Sequence, residues 1–184
     1  MDVRRVLLIF SIGIFLILWG TPKSQAQDGN AVGSSVRSAD KNLPMNEVEV
    51  TVVQDRRIQD KTRGDDGVYT LKVPTSLTEF DILYHKDGYL DSMDLGIQNS
   101  QPQQKRPIAR MTSVSALGLL PNSDLQNLIN SSIAAIKRGK NKGSTPLVES
   151  GKKNLELLRS HIQQTPENME LRGLIDKGLK DVGV

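Results

Sequence analysis

The feature that most constrains this chain is a change of hydrophobic period near residue 112. Before it, apolar side chains recur at every second position. Val48, Val50 and Val52 alternate with Glu47, Glu49 and Thr51, the mark of a half-buried strand. Tyr69, Leu71 and Val73 alternate with Val68, Thr70 and Lys72, and Pro74 closes the run. Phe80, Ile82 and Tyr84 then alternate with Glu79, Asp81 and Leu83. Residues 55–60 are charged and turn-like, Arg63-Gly64-Asp65-Asp66-Gly67 is a turn signal, and Lys86-Asp87-Gly88 holds an Asp-Gly pair suited to hairpins. Leu90 with residues 93–97 supplies a further short strand, and residues 108–111 a closing edge strand. Short strands at this spacing, with turn chemistry between them, predict an antiparallel sandwich over residues 32–111.

After residue 112 the period is helical. Asn122 or Ser123 caps a helix with Leu125, Leu128, Ile129, Ile133 and Ile136 on one face. The basic, glycine-flanked stretch 137–143 is expected to end it as a solvated connector. Thr145-Pro146 opens the next helix, lined by Leu147, Gly151, Leu155, Leu158 and Ile162. Thr165-Pro166-Glu167 precedes a shorter third, with Met169, Leu171, Leu174, Ile175, Leu179 and Val182. Such faces are too long to stay in water, so they pack on each other, on the sandwich or on a partner. Leu125, Leu128, Ile129, Ile133, Ile136, Leu171, Leu174 and Leu179 are therefore the candidate partner-binding residues.

The N-terminus reads as an address. Arg4 and Arg5 precede an uncharged apolar run at 6–19, and Ser24 and Ala26 fit the small-residue positions of a signal-peptidase site. Residues 1–26 are expected to be a signal peptide. The run is short for a bilayer core of roughly 30 Å, so a membrane contact is expected only if this segment stays uncleaved as an anchor. Removing residues 1–26 takes away Arg4, Arg5, Lys23 and Asp2 and leaves 21 basic and 20 acidic side chains, too even a balance to call for a nucleic-acid partner. Residues 27–42, rich in Gly, Ser, Asp and Asn, read as a flexible leader with room for a weak first strand at the isolated Val32 and Val36.

Composition excludes several chemistries. With no Cys, there is no disulfide framework, thiol catalysis or Cys-ligated metal. An exported chain without Cys suits a bacterial periplasm or exterior. Only His85 and His161 are present, and there is no Gly-x-Ser-x-Gly elbow, His-Glu-x-x-His or phosphate loop. The acidic residues Asp55, Asp60, Asp65, Asp66, Glu79 and Asp81 lack calcium-loop spacing. Arg63-Gly64-Asp65 is explained by turn chemistry. Alternation places Tyr69 and Tyr84 on the core face, which leaves Tyr89 as the candidate glycan contact. No catalytic, cofactor or metal residues are assigned.

Three segments resemble carboxypeptidase regulatory-like domains. Asn42-Leu43-Pro44-Met45 before Val48-Glu49-Val50-Thr51-Val52 is similar to that family's Pro-then-strand opening. Gly67-Val68-Tyr69-Thr70-Leu71-Lys72-Val73-Pro74 is similar to its Gly-x-Tyr/Phe-x-Leu-x-Val-Pro stretch, and Phe80 to Tyr89 to its later strand and closing Gly-Tyr. The resemblance implies a transthyretin-like β-sandwich, usually non-catalytic and found as an accessory module of exported proteins. The expected fold is thus α+β: an antiparallel sandwich of this type at 32–111, then a helical tail of two to three helices at 112–184. The expected function is a non-enzymatic exported accessory or scaffold protein that binds an envelope protein partner, with an envelope or extracellular glycan as the alternative ligand.

Overall fold

The computed structural model describes residues 29–54, 57–64, 66–100 and 103–183. The expected signal peptide lies outside these residues, as do Asp55 and Asp65. Eight strands are followed by three α-helices: β1 (Gly29–Ser38), β2 (Val48–Gln54), β3 (Arg57–Gly64), β4 (Val68–Pro74), β5 (Glu79–His85), β6 (Ser92–Gln98), β7 (Gln103–Lys105), β8 (Ala109–Met111), α1 (Asn122–Lys142), α2 (Thr145–His161) and α3 (Met169–Lys180). Short 3-10 helices at Val114–Leu119 and Pro166–Asn168 precede α1 and α3.

The strands form two four-stranded sheets. In the first, β1 lies between β4 and β7, and β8 pairs with β1 further along; the second has the order β3-β2-β5-β6. Pairing is antiparallel throughout the second sheet and between β1 and β4, but β7 and β8 run parallel to β1. These two short strands are one extended segment interrupted at residues 106–108. Pro107 has no N–H to donate there, so the ladder lapses and resumes at Ala109.

Within the expected leader at 27–42, the weak first strand allowed there is a full strand of ten residues, and the flexible reading is corrected for 29–38. Residues 29–38 are β1, with neighbours on both edges. Its inward positions read Val32, Ser34 and Val36, so the apolar period is diluted in the sequence. The strand is held by the ladders of its partners.

Val32 and Val36 of the first sheet and Val48, Val50 and Val52 of the second belong to one core, with Tyr69, Leu71, Val73, Phe80, Ile82 and Tyr84. Gly67 makes the β3–β4 turn at φ 72°, where a Cβ would come within 2.8 Å of the Val36 carbonyl oxygen.

The helices build a second core from Leu117, Leu125, Ile129, Ile136, Leu155, Leu158, Ile162, Leu171, Ile175 and Leu179, with Leu90 added from the β5–β6 connection. The break expected at 137–143 does not occur. α1 continues to Lys142 and ends at Gly143 in the left-handed conformation, φ 68°. Glycine inside that stretch serves packing instead: a Cβ on Gly139 would meet Val148 Cγ2 at 2.7 Å, and one on Gly151 would meet the Ser132 carbonyl oxygen at 2.6 Å. α1 and α2 therefore approach closely. The helices also lie on the β unit, because Thr51, Val53, Asp81 and Leu83, on the side of the second sheet away from its core, are all buried.

Candidate functional site

The residues expected to form a partner surface lie inside the molecule. Leu125, Ile129, Ile136, Leu171 and Leu179 are buried in the helical core, and Leu128, Ile133 and Leu174 are half-buried against it. Their assignment as partner-binding residues is corrected: the faces are covered by one another. Gly139, Gly151 and Gly178 let the three helices approach closely enough to cover each other's apolar faces. Tyr89 is half-buried against the core of the β unit and its backbone bridges to Ser113, so its ring is not a free stacking platform.

Two polar clusters tie the helices to the second sheet. In the first, Arg138 Nε donates to Asp81 Oδ1 at 2.5 Å and Nη2 approaches Glu79 Oε1 at 3.0 Å. The Gly96 N–H donates to the same Asp81 oxygen at 2.7 Å. Burial alone would lower the Arg138 pKa; the hydrogen bond and charge of Asp81, then those of Glu79, outweigh it and the net shift is upward. The hydrogen bond from Arg138 holds the Glu79 carboxyl below the usual carboxylate range.

In the second cluster, His85 Nδ1 lies 2.7 Å from Asp91 Oδ1, and Lys153 Nζ is 3.6 Å from that oxygen. The Asp91 N–H donates to Asn154 Oδ1 at 2.9 Å, and Asn154 Nδ2 donates to the Asp91 carbonyl at 2.8 Å. Beside it lies a groove of 330 Å³ lined by Glu49, Leu83, His85, Glu149, Ser150 and Lys153 among others. An imidazole oriented by a carboxylate can act as a base, but His85 Nε2 faces Asp87 at 3.6 Å. Among the described residues, no hydroxyl is hydrogen-bonded to His85, and no group of three His, Asp or Glu is placed to hold a metal ion. Lys153 and Asn154 dock α2 here, and His85 with Asp87 and Asp91 fixes the β5–β6 connection beneath it. His161 is exposed at the end of α2 with its ring against the Leu157 carbonyl.

Inside the β unit, Tyr69 and Tyr84 meet edge-on with ring centroids 5.6 Å apart and hydroxyls 2.6 Å apart. The Tyr84 hydroxyl lies 3.1 Å from Asp94 Oδ2 and donates to it. Burial pushes the Tyr69 phenol up to about 12, and it pushes Tyr84 up further, reinforced by the charges of Tyr69 and Asp94.

One open surface is the outer face of the first sheet. Val32, Val36, Tyr69, Leu71, Ala109 and Met111 point into the core, so Gly33, Ser35 and Arg37 of β1, Val68, Thr70 and Lys72 of β4, and Arg110 of β8 point away from it. Lys105 pairs with Gly33 and is exposed. A groove of 410 Å³ runs here, with Gly33 and the Tyr69 backbone in its lining and Val68 and Ile108 beside it. Val68 is 60% exposed and Ile108 48%. The flank at 106–108 is pinned to β1: the Arg106 N–H donates to the Gly33 carbonyl at 2.9 Å, and Ser34 Oγ lies 2.8 and 2.7 Å from the carbonyl oxygens of Arg106 and Pro107. Strands β1, β4, β7 and β8 contain Arg37, Lys72, Lys105 and Arg110 and no Asp or Glu. Sequence reading passed over this surface, although the missing acids within 29–38, 68–74 and 103–111 were its visible signal.

No family model matches the chain, and no curated protein matches it. Among solved structures it is similar to a 9R-lipoxygenase from Cyanothece PCC8801, at 12% identity and a TM-score of 0.33 over 46% of this chain and 16% of that one. It is also similar to two interface mutants of a type II cohesin–X-dockerin complex from Acetivibrio cellulolyticus. These stand at 13% and 15% identity, TM-scores 0.33 and 0.35, over 45% and 46% of this chain and 57% and 58% of theirs. The likeness thus spans under half of this chain, about one sixth of the lipoxygenase chain and under two thirds of the cohesin-complex chains.

Proposed function

We propose that this chain is an exported, non-enzymatic accessory protein that works by binding another protein through the outer face of its first sheet. One observation carries the reading: Val68 and Ile108 stay exposed together around a groove on this face. Exposed aliphatic side chains at a concave site, rimmed by polar groups, are the composition of a protein interface core. The β unit is proposed to be of the carboxypeptidase regulatory-like type. The quoted similar segments support this by falling on β2, β4 and β5, with the Gly67 turn between β3 and β4.

The test is photo-cross-linking in the cells that make the protein. A cross-linker replaces Thr70, on the open sheet face, or Glu156, exposed on α2. Capture of one defined protein from position 70 and not from 156 is the expected result. Capture from 156 alone would move the contact surface to the helices, and capture from neither would end the protein-binding reading.

A further inference from the structure

We infer that the groove on the first sheet receives an aliphatic side chain of a partner protein whose neighbouring residues are Asp or Glu. The inference rests on the reading of this face as a protein-contact surface and adds the partner's chemistry.

The groove exists because residue 33 is glycine. A Cβ there would lie 3.2 Å from the Tyr69 carbonyl oxygen and 3.5 Å from Thr70 Oγ1, so any larger side chain would rise into the space. Val68 and Ile108 beside it are β-branched and stiff at χ1, and ordering them against a ligand costs little rotamer freedom. The site therefore suits one protruding apolar side chain.

Charge supplies the rest. Lys105 and Arg106 line this depression, Lys72 and Arg110 are exposed further along the same sheet, and Arg37 is half-buried beside Arg110. Among the described residues, no ion pair joins Lys72, Lys105 or Arg110 to an acid. Asp60 accepts the backbone N–H groups of Lys61 and Lys72 through its two oxygens, and Asp66 sits in the turn before β4. Complementary potential steers association and fixes register, so carboxylates flanking the inserted side chain match this surface. The face offers no exposed aromatic ring on which a sugar or base would stack. Its concavity favours a protruding residue over a planar bilayer.

The experiment is peptide-display selection on the immobilised full-length chain, with counter-selection on a Lys105→Glu/Arg110→Glu variant. Both positions are exposed, and melting curves establish that the variant keeps its fold. The expected peptides carry Leu, Ile, Val or Met between acidic residues. A synthetic copy of one should lose about tenfold or more in affinity on the double variant, consistent with close charge pairs. Its affinity should also fall between about 50 and 300 mM salt, and Val68→Ser should weaken it as well. Enrichment of peptides without acids, equal binding to the charge-reversed variant, or no enrichment overturns the inference. So does preferential binding of phosphatidylglycerol vesicles or heparin. Self-association through this face, seen by light scattering and lost on charge reversal, assigns it to a second copy and overturns it too. If cross-linking from position 70 captures a partner whose contacting segment lacks acids, the protein-contact reading stands and this inference fails. If position 70 captures nothing, both fail.

Discussion

The outer face of the second sheet carries Thr51, Val53, Asp81 and Leu83 beneath the helices, whereas the outer face of the first carries Thr70, Lys72, Lys105 and Arg110 in solvent. The difference is also one of charge. The strands of the second sheet contain Glu49, Asp60, Glu79, Asp81 and Asp94, and each has a partner: Lys61 for Glu49, two backbone N–H groups for Asp60, Arg138 for Glu79 and Asp81, and Arg106 for Asp94. The cations Lys72, Lys105 and Arg110 have no acidic neighbour on their own sheet. The α-helical half covers one face of the β unit and leaves the other in solvent.

The sharpest way to break this arrangement is at Arg138. Arg138→Ala leaves the Asp81 carboxylate, 3% exposed, with the Gly96 N–H and no cation. Breaking a buried ion pair from one side typically costs about 3–5 kcal/mol, and a urea titration at neutral pH should show a loss of that order. The same variant carries a pH test through Glu79. Its pKa is depressed in the folded state, so its contribution is present above the unfolded value and is lost as pH falls through the folded one. Stability of the parent should drop more steeply than that of Arg138→Ala as acid is added below pH about 4.5.

The helical half can be broken without touching charge. Gly151→Val places a Cβ where the Ser132 carbonyl oxygen and Ile136 Cγ1 lie 2.6 and 2.7 Å away. Backbone cannot yield as a flexible side-chain tip does, so overpacking of about 1–3 kcal/mol is expected. Thermal melting should fall while a probe of the β unit, such as the near-ultraviolet signal of Tyr69 and Tyr84, keeps its folded baseline. Loss of both signals together at low temperature would mean that the sheet cannot fold without its cover.

Between the sheets, the tyrosine pair gives an alkaline test. The folded pKa of Tyr69 is raised to about 12 from an ordinary 10.0. The folded state therefore favours the protonated phenol, and this contribution is whole below pH about 10 and is lost as pH rises through about 12. Spectrophotometric titration should show a late, cooperative phenolate transition coincident with unfolding. Tyr69→Phe should lower stability at neutral pH by about 1–3 kcal/mol, because Tyr84 loses its hydroxyl partner at 2.6 Å.

How much of this was legible follows from what periodicity can say. It placed β2, β4, β5 and the three helices, since each carries a clean apolar period. It also held a trace of the covered face in Leu83, an aliphatic residue on the polar side of β5. Asp81 carried no such trace: flanked by Phe80 and Ile82, it reads as solvent-facing until Arg138 arrives from 57 residues away. The helical faces were readable as buried but not as buried against one another, because periodicity gives a face and not its partner. β1 was obscured by Gly33, Ser34 and Ser35, the residues that shape the open groove.

The smallest expected effect tests the open face itself. If Lys105 and Arg110 do no structural work, Lys105→Glu and Arg110→Glu should each change stability by no more than about 0.5 kcal/mol, the usual range for exposed positions. Relief of like-charge crowding among Arg37, Lys72, Lys105 and Arg110 could make the change slightly stabilising at low salt, and screening at about 0.15 M should erase it. A loss above about 1 kcal/mol would mean that these cations hold the fold, and the contrast between the covered and the open sheet would disappear. A null result separates the two faces in energetic terms, with charges that lock helices onto one sheet and charges on the other that the fold itself does not need.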